Sequence, residues 1–108
     1  MEHIFHVTRA DDWRAAQARG TCRISTRDRT LEEEGFIHCS YQHQVAHVVA
    51  TYFGDVHDLL VLVIEPQRVT AEIRAESAGG EERFPHIYGP LNLDAVIETR
   101  PVSGQSSS

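Results

Sequence analysis

His38, Cys39 and Ser40 place an imidazole, a thiol and a hydroxyl on successive residues, directly after Gly35-Phe36-Ile37. A second window, Phe84-Pro85-His86-Ile87-Tyr88-Gly89-Pro90, carries another imidazole and a phenol between prolines and a glycine. Histidine is the side chain that titrates near neutral pH unaided, so the chemistry these windows suggest is acid–base work in a shared cleft. That requires the windows to meet, with His38 and His86 within about 15 Å so that both reach one ligand.

If both windows are strands, alternation decides which side chains cooperate. Phe36, His38 and Ser40 share one face, and Ile37 and Cys39 the other. A nucleophilic Cys39 therefore cannot use His38 and would need His6 or His86 as its base. The simpler reading, a small core cysteine beside Ile37, is preferred. On the strand Ile4 to Val7, His6 goes with Ile4 and Thr8, opposite Phe5 and Val7. With the first two strands as neighbours, His6, His38 and Ser40 would line one wall of a cleft. His86 and Tyr88 would line the other, and Gly89 would let a ligand approach the backbone closely. Glu76 and Glu82 flank the glycine loop, and either could bring a carboxylate to the cleft.

His43 and His47 stand four apart on a helix, a spacing that suits a metal ion. With Val45 at the centre of the buried stripe, both fall about 160° to 200° away at 100° per residue. They belong on the solvent face, and no metal is expected.

The elements that must position these groups can be read in order. Thr8 with Asp11 suggests a capped helix over about 9 to 19, ended by Gly20. Residues 21 to 29 read as irregular, with a brief strand at 22 to 24. Thr30-Leu31-Glu32-Glu33 is a capping-box pattern opening a one-turn helix that Gly35 closes, and Phe36 to Cys39 follows as a strand. Val45, Val48, Val49, Tyr52 and Phe53 form the apolar stripe of a helix over 42 to 53. Leu59 to Ile64 lacks alternation and is rich in β-branched residues, as a strand covered on both faces should be. Val69 to Glu76 alternates as a half-buried strand, and Asp94 to Thr99 is the last strand.

The 108 residues are 41% hydrophobic and 24% charged, which suits one soluble domain over 1–102. Ser103 to Ser108 reads as a disordered tail. The longest apolar run is far short of the roughly 20 residues that span a bilayer, and no signal pattern opens the chain, so a cytoplasmic location is expected. Cys22 and Cys39 are read as two reduced thiols. A net charge of −6 opposes binding to nucleic acid. Arg19, Arg23, Arg27 and Arg29 form a local basic cluster, either a solvated loop or an anion site.

The strings Glu34-Gly35-Phe36-Ile37-His38-Cys39-Ser40 and Phe84-Pro85-His86-Ile87-Tyr88-Gly89-Pro90-Leu91-Asn92-Leu93-Asp94-Ala95-Val96, with Asp58-Leu59-Leu60-Val61-Leu62 between them, resemble the uncharacterised bacterial family known as domain of unknown function 952. The resemblance covers about residues 3 to 102. It implies a fold like that of ADP-ribosyltransferases and RNA 2′-phosphotransferases: an α+β domain with a small, mixed, strongly bent (split) sheet, two main helices and an NAD-binding cleft. It further implies chemistry at the nicotinamide ribose, with His6 holding the ribose, His38 and Ser40 flanking the nicotinamide, and Glu76, Glu82 or His86 steadying the transition state. Glu82 is the carboxylate carried forward with His38 and His6 as the catalytic set; Ser40, His86, Tyr88 and Gly89 join His6 in binding. A binding module without turnover and a histidine-pair or metal-assisted hydrolase are the alternatives.

Overall fold

The computed structural model describes residues 2–27, 29–77 and 80–102. The chain runs β1 (Ile4–Arg9), α1 (Ala10–Arg19), β2 (Thr21–Cys22), β3 (Ile24–Thr26), β4 (Arg29–Thr30), α2 (Leu31–Glu34) and β5 (Ile37–His38). A 3₁₀ turn (Gln42–Gln44) leads into α3 (Val45–Tyr52), followed by β6 (Leu59–Ile64) and a 3₁₀ turn (Pro66–Arg68). Then come β7 (Glu72–Glu76), β8 (Phe84–Tyr88), β9 (Leu91–Asn92), a last 3₁₀ turn (Leu93–Ala95) and β10 (Val96–Pro101).

The apolar run forms the centre of the fold. β6 pairs with β1 on one edge and β10 on the other. Its Leu62 and Ile64 enter one core with Ile4, Ala16, Ile37, Cys39 and Ile87. Its Leu59, Val61 and Val63 enter a second with Phe5, Val7 and Phe53, against which α3 packs Val45, Val48 and Val49. A strand covered on both faces has no polar side to show, which is why its sequence does not alternate.

A second sheet, ordered β5-β8-β7, stands beside the first. Ser40 joins them: its N–H donates to the Phe5 carbonyl at 2.7 Å, and its carbonyl accepts from the Phe5 N–H at 2.8 Å. Among the described residues, this isolated bridge links the two sheets. The expectation of a mixed sheet is corrected, because every strand pairing among the described residues is antiparallel. Each helix connects strands of different sheets, so no parallel crossover unit forms among the described residues.

Local signals hold in part. The capping box at α2 is present, with Thr30 Oγ1 accepting from the Glu33 N–H at 3.2 Å and the Glu33 carboxylate accepting from the Thr30 N–H at 2.8 Å. Gly35 closes that turn at φ +87°, where a side chain would be strained. The expected Thr8 cap is absent: β1 continues through Thr8, which pairs with Leu60, and α1 starts after Arg9 without a side-chain cap. Cross-strand pairing there outweighs the local cap. Tyr52, expected inside, is 58% exposed, because Phe53 takes the inward place as the helix ends. The segment expected to be irregular forms β2, β3 and β4, with β2 against β9 and β3 against β4. Asp94 lies in a 3₁₀ turn, so the last strand starts at Val96. Residues 78–79 of the glycine loop and the tail 103–108 lie outside the described residues. Among the described residues, no helix is long and apolar enough to cross a membrane.

Candidate functional site

The site is built on the outer face of the β5-β8-β7 sheet. Register sets His38 opposite His86 and Ile37 opposite Ile87, so alternation brings Phe36, His38, Ser40, Phe84, His86 and Tyr88 to one face. Ile37 and Cys39 go to the core, at 0% and 3% exposure. Burial pushes the Cys39 thiol above the ordinary value of 9.0, which suits packing rather than nucleophilic attack. Cys22 is likewise a free, buried thiol.

His38 and His86 are in ring contact, with centroids 5.3 Å apart and planes at 79°. Phe36 stacks on His86 at 4.1 Å and 20°, and meets His38 edge-on at 4.7 Å. Each imidazole is held by a carboxylate. His38 Nε2–H donates to Glu34 Oε1 at 3.2 Å, and His86 Nδ1–H donates to Glu76 Oε1 at 2.9 Å. The Tyr88 hydroxyl donates to the same Glu76 oxygen. These bonds leave Nδ1 of His38 and Nε2 of His86 as the nitrogens not committed to a carboxylate. Partial burial lowers the His38 pKa below the ordinary 6.5; Glu34 opposes this, and His86 adds to it. Hydrogen bonds from Tyr88 and His86 hold the Glu76 carboxyl below the usual carboxylate range.

A cavity of about 340 Å³ opens over this pair, at the split between the sheets. Its wall includes His38, Ser40 and His86, with Phe84, Val48, Tyr52 and Phe53 as the apolar side. Arg29 and Glu34 stand in the same wall, joined by an ion pair of 2.8 Å. Arg23 and Arg27 are likewise committed to the carboxylates of Glu32 and Asp55. Of the arginines near the site, Arg29 is the one that faces the cavity.

Four expected positions are corrected. His6 does not line the cleft; it is 1% exposed, because its face of β1, shared with Ile4, meets the core. Glu82 stands outside the cavity wall, its carboxylate accepting from Gln44 Nε2 at 3.0 Å, and Glu76 meets His86 in its stead. Tyr88 also stands outside the wall, where its hydroxyl donates to Glu76 and its ring lies under the Arg74 guanidinium at 4.7 Å. Gly89 serves packing, since a Cβ there would lie 2.8 Å from the Ala71 Cβ. His43 and His47 are both exposed, and no three His, Cys, Asp or Glu side chains gather as a metal site among the described residues.

Sequence reasoning missed Glu34 and the cavity-facing role of Arg29. Glu34 lies four residues before His38, a spacing that pairs side chains on a helix. The Gly35 turn interrupts that helix, so the pairing depends on a reversal that spacing does not describe. Gln44 was also missed: it is 2% exposed and tied to Tyr41, Glu82 and Arg83 by three hydrogen bonds.

Solved structures of one protein share this architecture. The crystal structure of protein CC0527 from Caulobacter crescentus is 27% identical, with a TM-score of 0.80 over 96% of each chain. Its solution NMR structure gives 29% identity and a TM-score of 0.75 over 98% of this chain and 97% of that one. No curated protein matches. Residues 7–99, most of the 108, match the family described as "Protein of unknown function (DUF952)", and the chain belongs to that family.

Proposed function

We propose that the cavity over His38 and His86 binds a nucleotide of the NAD class and that the paired imidazoles serve chemistry at its nicotinamide ribose. The observation that carries this reading is the pair itself: two imidazoles in contact, each anchored by a carboxylate and each with one uncommitted nitrogen, beside a largely apolar cavity. The family's kinship to ADP-ribosyltransferases, implied by its motifs, supplies the ribose as the reacting centre.

In the proposed step, the bond from ribose C1′ to nicotinamide breaks and its electron pair leaves with the nicotinamide. An oxygen of water or of an acceptor hydroxyl bonds to C1′, and its proton passes to Nδ1 of His38. Glu34 stabilises the imidazolium so formed. The lowered pKa of His38 favours the neutral ring, free to accept a proton. Arg29 offers a cation to the pyrophosphate, and the aromatic wall suits a base or the nicotinamide ring.

Thermal shift with millimolar NAD, NADP or ADP-ribose tests binding. A ligand at 100 times its dissociation constant adds about 2.7 kcal/mol, hence several degrees for a domain of this size. No shift with any of the three would remove the nucleotide reading. Nicotinamide release by wild type and His38→Ala then tests turnover. Equal rates would take His38 out of catalysis, and binding without release would make the protein a nucleotide sensor.

A further inference from the structure

We propose that His6 is a positioning residue, whose imidazole replaces a missing backbone rung at the sheet split and so holds His38 against His86. The inference does not depend on which ligand the cavity takes.

The bridge between Phe5 and Ser40 is antiparallel. A regular continuation would step forward along β1 and back along the other strand, setting His38 opposite Val7. That rung is not made: the Phe5–Ser40 bridge stands isolated, although Phe5 and Val7 both pair with β6 on the other edge of β1. In such a ladder, residues two apart direct their backbone groups to the same side, so the His38 carbonyl looks towards β1, as the Ser40 groups do. A buried carbonyl without a donor is costly. His6 supplies the donor: its Nδ1–H reaches the His38 oxygen at 2.7 Å.

Two features make this bond matter for His38. β5 is only two residues long, and Pro85, opposite Cys39, has no N–H to return the bond that the Cys39 N–H makes to the Pro85 carbonyl at 3.0 Å. The ladder that places His38 is therefore short on both edges. His6 is buried to 1% exposure; its ring also interacts with the Cys39 thiol, but its Nε2 has no geometrically formed hydrogen bond among the described residues, so the bond to the His38 carbonyl is the ring's tie to the backbone of β5. Val7, His38, Cys39 and Ser40 all border the cavity, so the unmade rung and the cavity share one place in the fold.

Nitrogen-15 NMR of the whole protein tests this. At a pH where the His6 ring is neutral, its proton should sit on Nδ1, the opposite of the tautomer that free histidine favours; a proton on Nε2 overturns the proposal. His6→Asn keeps an N–H near the position of Nδ1, whereas His6→Leu fills the space without a donor. The ring-to-ring nuclear Overhauser contact between His38 and His86 should survive in His6→Asn and be lost in His6→Leu. A folded His6→Leu that retains this contact overturns the proposal. Should His6→Leu fail to fold, the wild-type tautomer together with the His38–His86 contact in His6→Asn decides.

Discussion

His38 and His86 face each other across neighbouring antiparallel strands with ring centroids 5.3 Å apart, each backed by a carboxylate on its own side of the sheet. Burial disfavours the charged form of His38, Glu34 opposes this in part, and the neighbouring His86 adds to it, so the His38 pKa is lowered. In the unfolded chain this ring titrates at its ordinary value near 6.5. As pH falls through and below that value, the unfolded state therefore takes up the proton first and the folded state loses stability. Above it the contribution is fully present. The melting temperature of wild type minus that of His38→Gln should thus decline from pH 8 to pH 5. A difference that rises over this range would mean that the folded protein favours the charged ring.

Cys39 has His38 and Ser40 as neighbours in sequence yet faces Ile37 and the core, with its thiol pKa raised by burial. Alkylation by iodoacetamide at pH 8 should then require opening of the structure. The native protein should react on the order of a hundredfold or more slowly than free cysteine, and equally fast once unfolded. Rapid modification of native Cys39, located by mass spectrometry, would return it to the list of nucleophiles.

Much of this arrangement could be read from residue types. Alternation alone separates His38 and Ser40 from Cys39, and puts His86 with Tyr88. The Thr30–Glu33 capping box and Gly35 were legible because they act within one turn of chain. His6 was misplaced for a physical reason: alternation says which residues share a face, but whether that face meets the core or a cleft depends on contacts far away in sequence. The Ile4 side of β1 packs with Ile37, Cys39 and Ile87. The choice between Glu76 and Glu82 was hidden in the same way, since Glu76 ends β7 beside His86 while Glu82 is drawn off by Gln44 on another element.

Gly89 and Ala71 approach so closely that a Cβ on Gly89 would sit 2.8 Å from the Ala71 methyl. The φ of Gly89 is not positive, so the cost of Gly89→Ala is one of contact rather than of backbone strain. Urea unfolding should show a loss of about 1 to 3 kcal/mol, the range for overpacking. Adding Ala71→Gly removes the opposing methyl and should restore much of the loss, beyond the sum of the two single effects. A Gly89→Ala variant as stable as wild type would mean the two backbones are farther apart than described.

Glu76 accepts hydrogen bonds from both Tyr88 and His86, so the phenol is part of what orients the imidazole. The Glu76 carboxylate next to the hydroxyl opposes its ionisation and raises the Tyr88 pKa above 10.0. In an ultraviolet titration, Tyr88, assigned by its absence in Tyr88→Phe, should ionise later than an ordinary phenol. Glu76→Gln keeps an oxygen acceptor but removes the charge, and it should bring that midpoint back towards the ordinary value. If Tyr88 ionises at the same pH in wild type and Glu76→Gln, the phenol does not rest on the carboxylate. His86 would then lack the support that makes the two imidazoles a matched pair.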